Sequence, residues 1–120
     1  MINNVGGVII WSDDVEKLSV FYKNVLELEP VTEREGFIAF SFGEFRLSIS
    51  YHNGVHGRSK DPLRMMINFN VSDIDFVYRS LSEKGVTFLR LPEKEHWGGY
   101  VATFKDPDGN VVQLLQRSSD

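Results

Sequence analysis

The chain has no cysteine, which removes disulfides, thiolate nucleophiles and cysteine-ligated metal at once. It also lacks any apolar run near the roughly 18 residues that a membrane span requires, so no membrane partner is expected. Positive charge is scarce: 13 Lys and Arg stand against 17 Asp and Glu, a formal charge of −4. A general binder of phosphate backbones would show a basic face, so no nucleic-acid partner is expected either. The opening "MINNVGG" has neither the basic segment nor the long apolar stretch of a secretory signal. Together with the missing cysteine this sets a cytoplasmic expectation.

What is present is ordinary globular material. The 120 residues are 42% hydrophobic and 25% charged, enough for one domain with a core that needs no staples. Two segments carry helical spacing. In "WSDDVEKLSVFYKNVLEL" the apolar stripe is Val15, Leu18, Tyr22, Val25 and Leu26, and Asp13 with Glu16 has capping-box spacing. In "VSDIDFVYRSLSEKGV" the stripe is Ile74, Val77, Tyr78 and Leu81, Ser72 and Asp75 have the same spacing, and Gly85 is a natural stop. Strands are expected at Val5–Trp11, Leu28–Arg34, Phe37–Phe42 and Phe45–Tyr51, then at Met65–Val71, Val86–Leu89, Tyr100–Phe104 and Val111–Gln116. The halves therefore repeat as strand–helix–strand–strand–strand, with "DVE" and "DID" at equivalent helix starts. The expected organisation is a single domain over 1–120: module one at about 1–55, a linker over 52–62, and module two at about 63–120.

Strand alternation separates two faces. Val8 and Ile10, Leu47 and Ile49, Ile67, Phe69 and Val71, and Val112 and Leu114 are expected against the helices. Opposite them lie Gly7, Ile9 and Trp11; Arg46, Ser48 and Ser50; Met66, Asn68 and Asn70; and Val111, Gln113 and Leu115. That mixture of polar and aromatic groups suits a sheet lining a wet pocket, and it also suits an open, solvated sheet face.

The stretches "DDVEKLSVFYKNVLELEP", "NVSDIDFVYRSLSEKGV" and "WGGYVATFKDPDGNVVQLLQ" resemble the vicinal oxygen chelate superfamily of glyoxalase I, bleomycin-resistance proteins and extradiol dioxygenases. The resemblance implies an α+β fold of two tandem βαβββ modules, a curved half-barrel of mixed sheet around a cavity with helices outside. Metal-dependent members take ligands from the first and last strands of each module, which carries over to Gly7, Ser48, Met66 and Gln113. Only Gln113 is a plausible donor for a hard or borderline ion, so no metal and no cofactor are expected. His52 and His56 fall in the glycine-bearing linker and His96 in a separate loop, without ligand spacing. No Ser, His and acid are tied by a motif, and Glu93 and Glu95 read as a solvated loop.

What remains is a binding pocket. "EHWGGY" resembles the Trp-Gly segment before the seventh strand of metal-free, drug-binding members. Trp97, Trp11 and Tyr100 offer flat faces for a planar or aromatic ligand, with core or dimer-interface packing as the competing role for Trp11 and Tyr100. Asn68, Asn70, Gln113 and Arg46 would orient it, with Ser48 and Met66 alongside; Arg46 is either an anion partner or a solvated rim charge. The expected function is metal-independent small-molecule binding, similar to that of antibiotic-sequestering members, and the resemblance implies a homodimer. The alternative is a glyoxalase-like lyase, isomerase or dioxygenase with an atypical metal set.

Overall fold

The structure, a computed structural model, describes residues 1–118. The chain divides into two compact units, residues 1–57 and 58–120, and the division falls inside the 52–62 segment. Among the described residues no helix is long and apolar enough to cross a membrane.

The first unit runs β1 (Gly7–Ser12), α1 (Val15–Val20), a π-helical continuation (Phe21–Val25), β2 (Pro30–Arg34), β3 (Phe37–Phe42) and β4 (Phe45–Tyr51). Its sheet order is β1-β4-β3-β2, with β1 parallel to β4 and the other pairs antiparallel. The second unit repeats the plan with β5 (Ile67–Asn70), α2 (Ile74–Glu83), β6 (Phe88–Lys94), β7 (Tyr100–Lys105) and β8 (Val111–Gln116). Its order is β5-β8-β7-β6, again with one parallel pair, β5 with β8. The fold is α+β, two tandem βαβββ modules each built on an open four-stranded mixed sheet.

Each helix starts on an aspartate one residue away from the expected cap. Asp14 and Asp73 are the N-caps, their carboxylates accepting from the amides of Lys17 and Phe76 at 3.2 and 3.1 Å. Asp13 is used elsewhere: its carboxylate accepts from the Gly57 amide at 2.9 Å. Gly85, with φ of 94°, ends α2 as expected, while Val86 N–H donates back to the Leu81 carbonyl at 3.0 Å. The first helix departs from its pattern after Val20. There the turn widens, and the Leu26 amide reaches the Phe21 carbonyl at 3.0 Å, five residues back. Tyr22 is nonetheless fully buried, as its place in the stripe requires.

Packing follows the expected helix-side sets. In the first unit Leu18, Tyr22, Ile38, Phe40, Leu47 and Ile49 are sealed from solvent. In the second, the rings of Tyr78 and Phe88 meet at 4.8 Å and those of Phe88 and Phe104 at 5.3 Å, joining α2 to β6 and β7. Several strand ends differ from expectation: β1 begins at Gly7, β2 at Pro30 and β5 at Ile67. The largest difference is β6, which runs on to Lys94 through Pro92 and two register shifts. An edge strand tolerates the missing proline donor, and the bulges carry pairing past a stretch whose alternation had lapsed.

The last turn, "DPDGN", is organised by one carboxylate. Asp106, only 3% exposed, accepts from the amides of Asp108 and Asn110 and from the Asn110 side chain at 2.9, 3.0 and 2.9 Å. Gly109 takes φ of 84°, and its amide closes the turn onto the Asp106 carbonyl at 2.9 Å. The Arg58 guanidinium donates to the Pro107 carbonyl at 3.3 Å from outside. The equivalent turn of the first unit is a short one through Gly43, where Ser41 Oγ donates to the Gly43 carbonyl at 3.0 Å.

Candidate functional site

Strand register lines up the residues of each sheet's helix-free face in rows. In the first unit three rows cross that face: Gly7–Arg46–Ser41, Ile9–Ser48–Ala39–Thr32, and Trp11–Ser50–Phe37–Arg34. None of these positions is acidic. Arg46 is exposed and makes no side-chain hydrogen bond or ion pair among the described residues. Trp11 is 43% exposed, and the edge of its ring is held by His52 at 5.1 Å and 73°. His52 is itself fixed, its Nδ1 accepting from the Gly54 amide at 2.9 Å. That leaves the ring proton of the neutral form on Nε2. At the far side of the sheet the Arg34 guanidinium lies 4.2 Å from the centre of the Phe37 ring.

The second unit's face carries Asn68–Gln113–Thr103–Arg90 in one row and Asn70–Leu115–Val101–Glu93 in the next. Gln113 Nε2 donates to Asn68 Oδ1 at 3.1 Å, so the two side chains form one amide pair. Arg90 pairs with Glu93 and with Glu95, the latter at 3.0 Å. The hydrogen bond to Glu93 raises the guanidinium pKa above its ordinary value, and Glu95 acts in the same direction. Val101, Val111 and Leu115 on this face are buried.

Seven of the expected residues thus stand on helix-free faces or at their margin. Trp11, Arg46 and Ser48 share the first face, and Asn68, Asn70 and Gln113 the second; Met66 lies one residue before β5, exposed. Two fall elsewhere. Tyr100 pairs with Gln116 on the helix side, in keeping with the packing role left open for it and away from the face where a planar ligand would stack. The reason is local: Gln116 Oε1 accepts from the Ile74 amide at 2.8 Å, which fixes that row toward α2. Trp97 sits in the turn before β7, 47% exposed, its ring laid over Gly99 so that a methyl group there would strike it. Arg90 is a residue of this face that the sequence pattern did not yield, and Glu93, expected in a solvated loop, lies within β6 opposite Val101. Phe88 pairs with Phe104 on the core side, and plain alternation would keep Arg90 there too. The register shift between them turns Arg90 outward to face Thr103.

The four positions carried over as ligands by the resemblance, Gly7, Ser48, Met66 and Gln113, do not fit a divalent ion here. At Gly7 a Cβ would run into the Arg46 carbonyl, so this position has no donor and no room for one. Ser48 faces Ile9, Met66 offers a thioether, and the Gln113 amide is already bonded to Asn68. Among the described residues no three His, Cys, Asp or Glu side chains gather into a metal-holding group. A cleft of about 230 Å³ lies by α1 and the β2–β3 hairpin, lined by Val15, Glu16, Ser19, Glu35 and Phe37 among others. It contains none of the expected residues, and the convergent donors of the sheet faces make those faces the better candidate site.

Comparison with known proteins agrees with this architecture. The family model described as Glyoxalase/Bleomycin resistance protein/Dioxygenase superfamily matches residues 3–114. The uncharacterised protein YraH of Bacillus subtilis is 30% identical over 117 residues, covering 87% of this chain and 91% of that protein. The bleomycin resistance protein of Klebsiella pneumoniae is 26% identical over 114 residues, covering 88% and 86%. A crystal structure from Sphaerobacter thermophilus, titled a member of the same superfamily, superposes with a TM-score of 0.76 at 29% identity over 97% of this chain and 98% of that one. Lactoylglutathione lyase from Agrobacterium tumefaciens shares the fold at a TM-score of 0.75 and 18% identity, over 96% and 94%.

Proposed function

Because the chain belongs to the glyoxalase/bleomycin resistance protein/dioxygenase superfamily, we propose that it is a metal-independent binding protein for small planar molecules, acting by stoichiometric capture. The observation that carries this reading is the Gln113–Asn68 amide pair. The one side chain able to serve as a family-type ligand is committed to a neighbour, and its partner position at Gly7 admits no side chain. An amide pair of this kind keeps free acceptor and donor atoms that can orient a polar edge of a ligand. Trp11 supplies a fixed aromatic surface in the first unit. The name of the Klebsiella pneumoniae relative supports drug capture as the biological use. A homodimer and a cytoplasmic setting belong to the same proposal, and sedimentation of the purified protein tests the first.

The decisive measurement is metal content together with thermal shift. The expected result is far less than one equivalent of metal, a midpoint indifferent to EDTA, and a rise with planar aromatic compounds, because binding to the native state stabilises it. One equivalent of nickel, zinc, iron or manganese, lost in Gln113→Ala, would instead establish a metal-dependent lyase, isomerase or dioxygenase.

A further inference from the structure

Arg46 stands apart from the other arginines that strand register places on the helix-free faces, Arg34 and Arg90. Arg90 is held by two carboxylates, Arg64 by Asp61, Arg58 by the Pro107 carbonyl, and Lys23 by Glu33, while Arg34 covers Phe37. Arg46 has no such partner among the described residues, in a chain with more acids than bases. Its own sheet face is free of Asp and Glu in every row, and the residues beside it there are Gly7 and Ser41, neither of which carries charge. A guanidinium is a planar fork of donors matched to a carboxylate or phosphate. Further along the same face lie Ile9, Ser48 and Trp11, the last two rows away from Arg46. Four residues of strand separate the two rows, about 13 Å. A two-ring aromatic body bearing an anionic group spans that gap once the arginine side chain leans inward. Ile9, more than half exposed, gives an apolar floor between them.

From this we infer that the helix-free face of the first unit selects an anionic planar ligand, an aromatic carboxylate or an aryl phosphate, with Arg46 binding the anion and Trp11 the ring. The inference rests on the proposed binding function and names its ligand class. A purely cationic drug is disfavoured, since the face presents two arginines and no acid.

The test compares three probes with the same ring system on EDTA-treated protein: naphthoate, the neutral naphthamide, and naphthylmethylammonium. Calorimetry reads affinity, and the indole N–H signal of Trp11 in nitrogen-edited NMR spectra, assigned with Trp11→Phe, reads location. Naphthoate is expected to move the Trp11 signal and to bind about tenfold more tightly than either analogue. Arg46→Gln should bring naphthoate down to the affinity of naphthamide, and Arg46→Lys should restore part of the preference. Equal affinity for all three probes, a preference for the ammonium, a carboxylate preference surviving Arg46→Gln, or no binding by any probe would each overturn the inference. Failure of the parent reading looks different: stoichiometric metal sinks it whatever the charge preference. An aryl phosphate run beside naphthoate identifies which anion the face prefers, and either preference supports the inference.

Discussion

The two helix-free faces have the same row plan and opposite electrostatics. In the first, Arg46 and Arg34 stand without an acidic neighbour on their face and Trp11 is braced for contact. In the second, Arg90 is neutralised by Glu93 and Glu95, and the polar row is closed on itself by the Gln113–Asn68 pair. Equivalent rows also differ in chemistry: Ile9–Ser48 in one unit corresponds to Asn68–Gln113 in the other. The repeat preserved the backbone and let the side chains diverge. One face was left with an unneutralised cation, the other with a bonded amide pair.

Paired substitutions can break or sharpen this contrast. The largest difference is expected at the turns that aim the last strand of each unit. Asp106→Ala strips three donors of a buried acceptor and should cost about 3 kcal/mol in urea unfolding. Ser41→Ala at the exposed counterpart should stay within about 0.5 kcal/mol. Next comes the approach of the first strand to the last. Gly7→Val drives a side chain into the Arg46 carbonyl and should cost about 2 kcal/mol, read as a lower thermal midpoint. Met66→Val, exposed and ahead of its strand, should be nearly neutral. Smaller again is the central row. Gln113→Leu leaves Asn68 without its donor and should cost about 1 kcal/mol, whereas Ser48→Ala should cost nothing measurable. The smallest effect concerns charge. Replacing Glu93 and Glu95 together by glutamine frees Arg90 and should give the second face a weak naphthoate affinity of its own at low salt, lost as ionic strength rises. If that double variant instead left naphthoate binding unchanged, the neutralised arginine would not be what distinguishes the faces.

Much of this was legible in the residues. Alternation in "FRLSISY" and "RMMINFN" gave the correct faces for Arg46, Ser48, Asn68 and Asn70, because those strands pair in register without interruption. Both helices were visible in their stripes. Their caps were displaced by one residue because adjacent Asp-Asp and Ser-Asp pairs offer equivalent acceptors, and the choice depends on what else each side chain can reach. The direction of Arg90 is not legible in the residues, since a bulge inserts a residue without any mark in composition. Tyr100 follows the alternation of Ala102 and Phe104 onto the helix side, and the bond from Ile74 N–H to Gln116, 42 positions apart, holds its row there. The crowding at Gly7 depends on the distance between two strands, so it appears only once they are paired.

The register shifts in β2 and β6 have a consequence for behaviour at high concentration. These are the outermost strands at one end of each sheet, and each also contains a proline, Pro30 and Pro92. A flat edge with a complete row of amides and carbonyls would template strand addition by another molecule. An edge interrupted by bulges and lacking a donor offers too few consecutive bonds for that. Leu89 and Leu91 can therefore remain exposed on β6 without seeding fibrils.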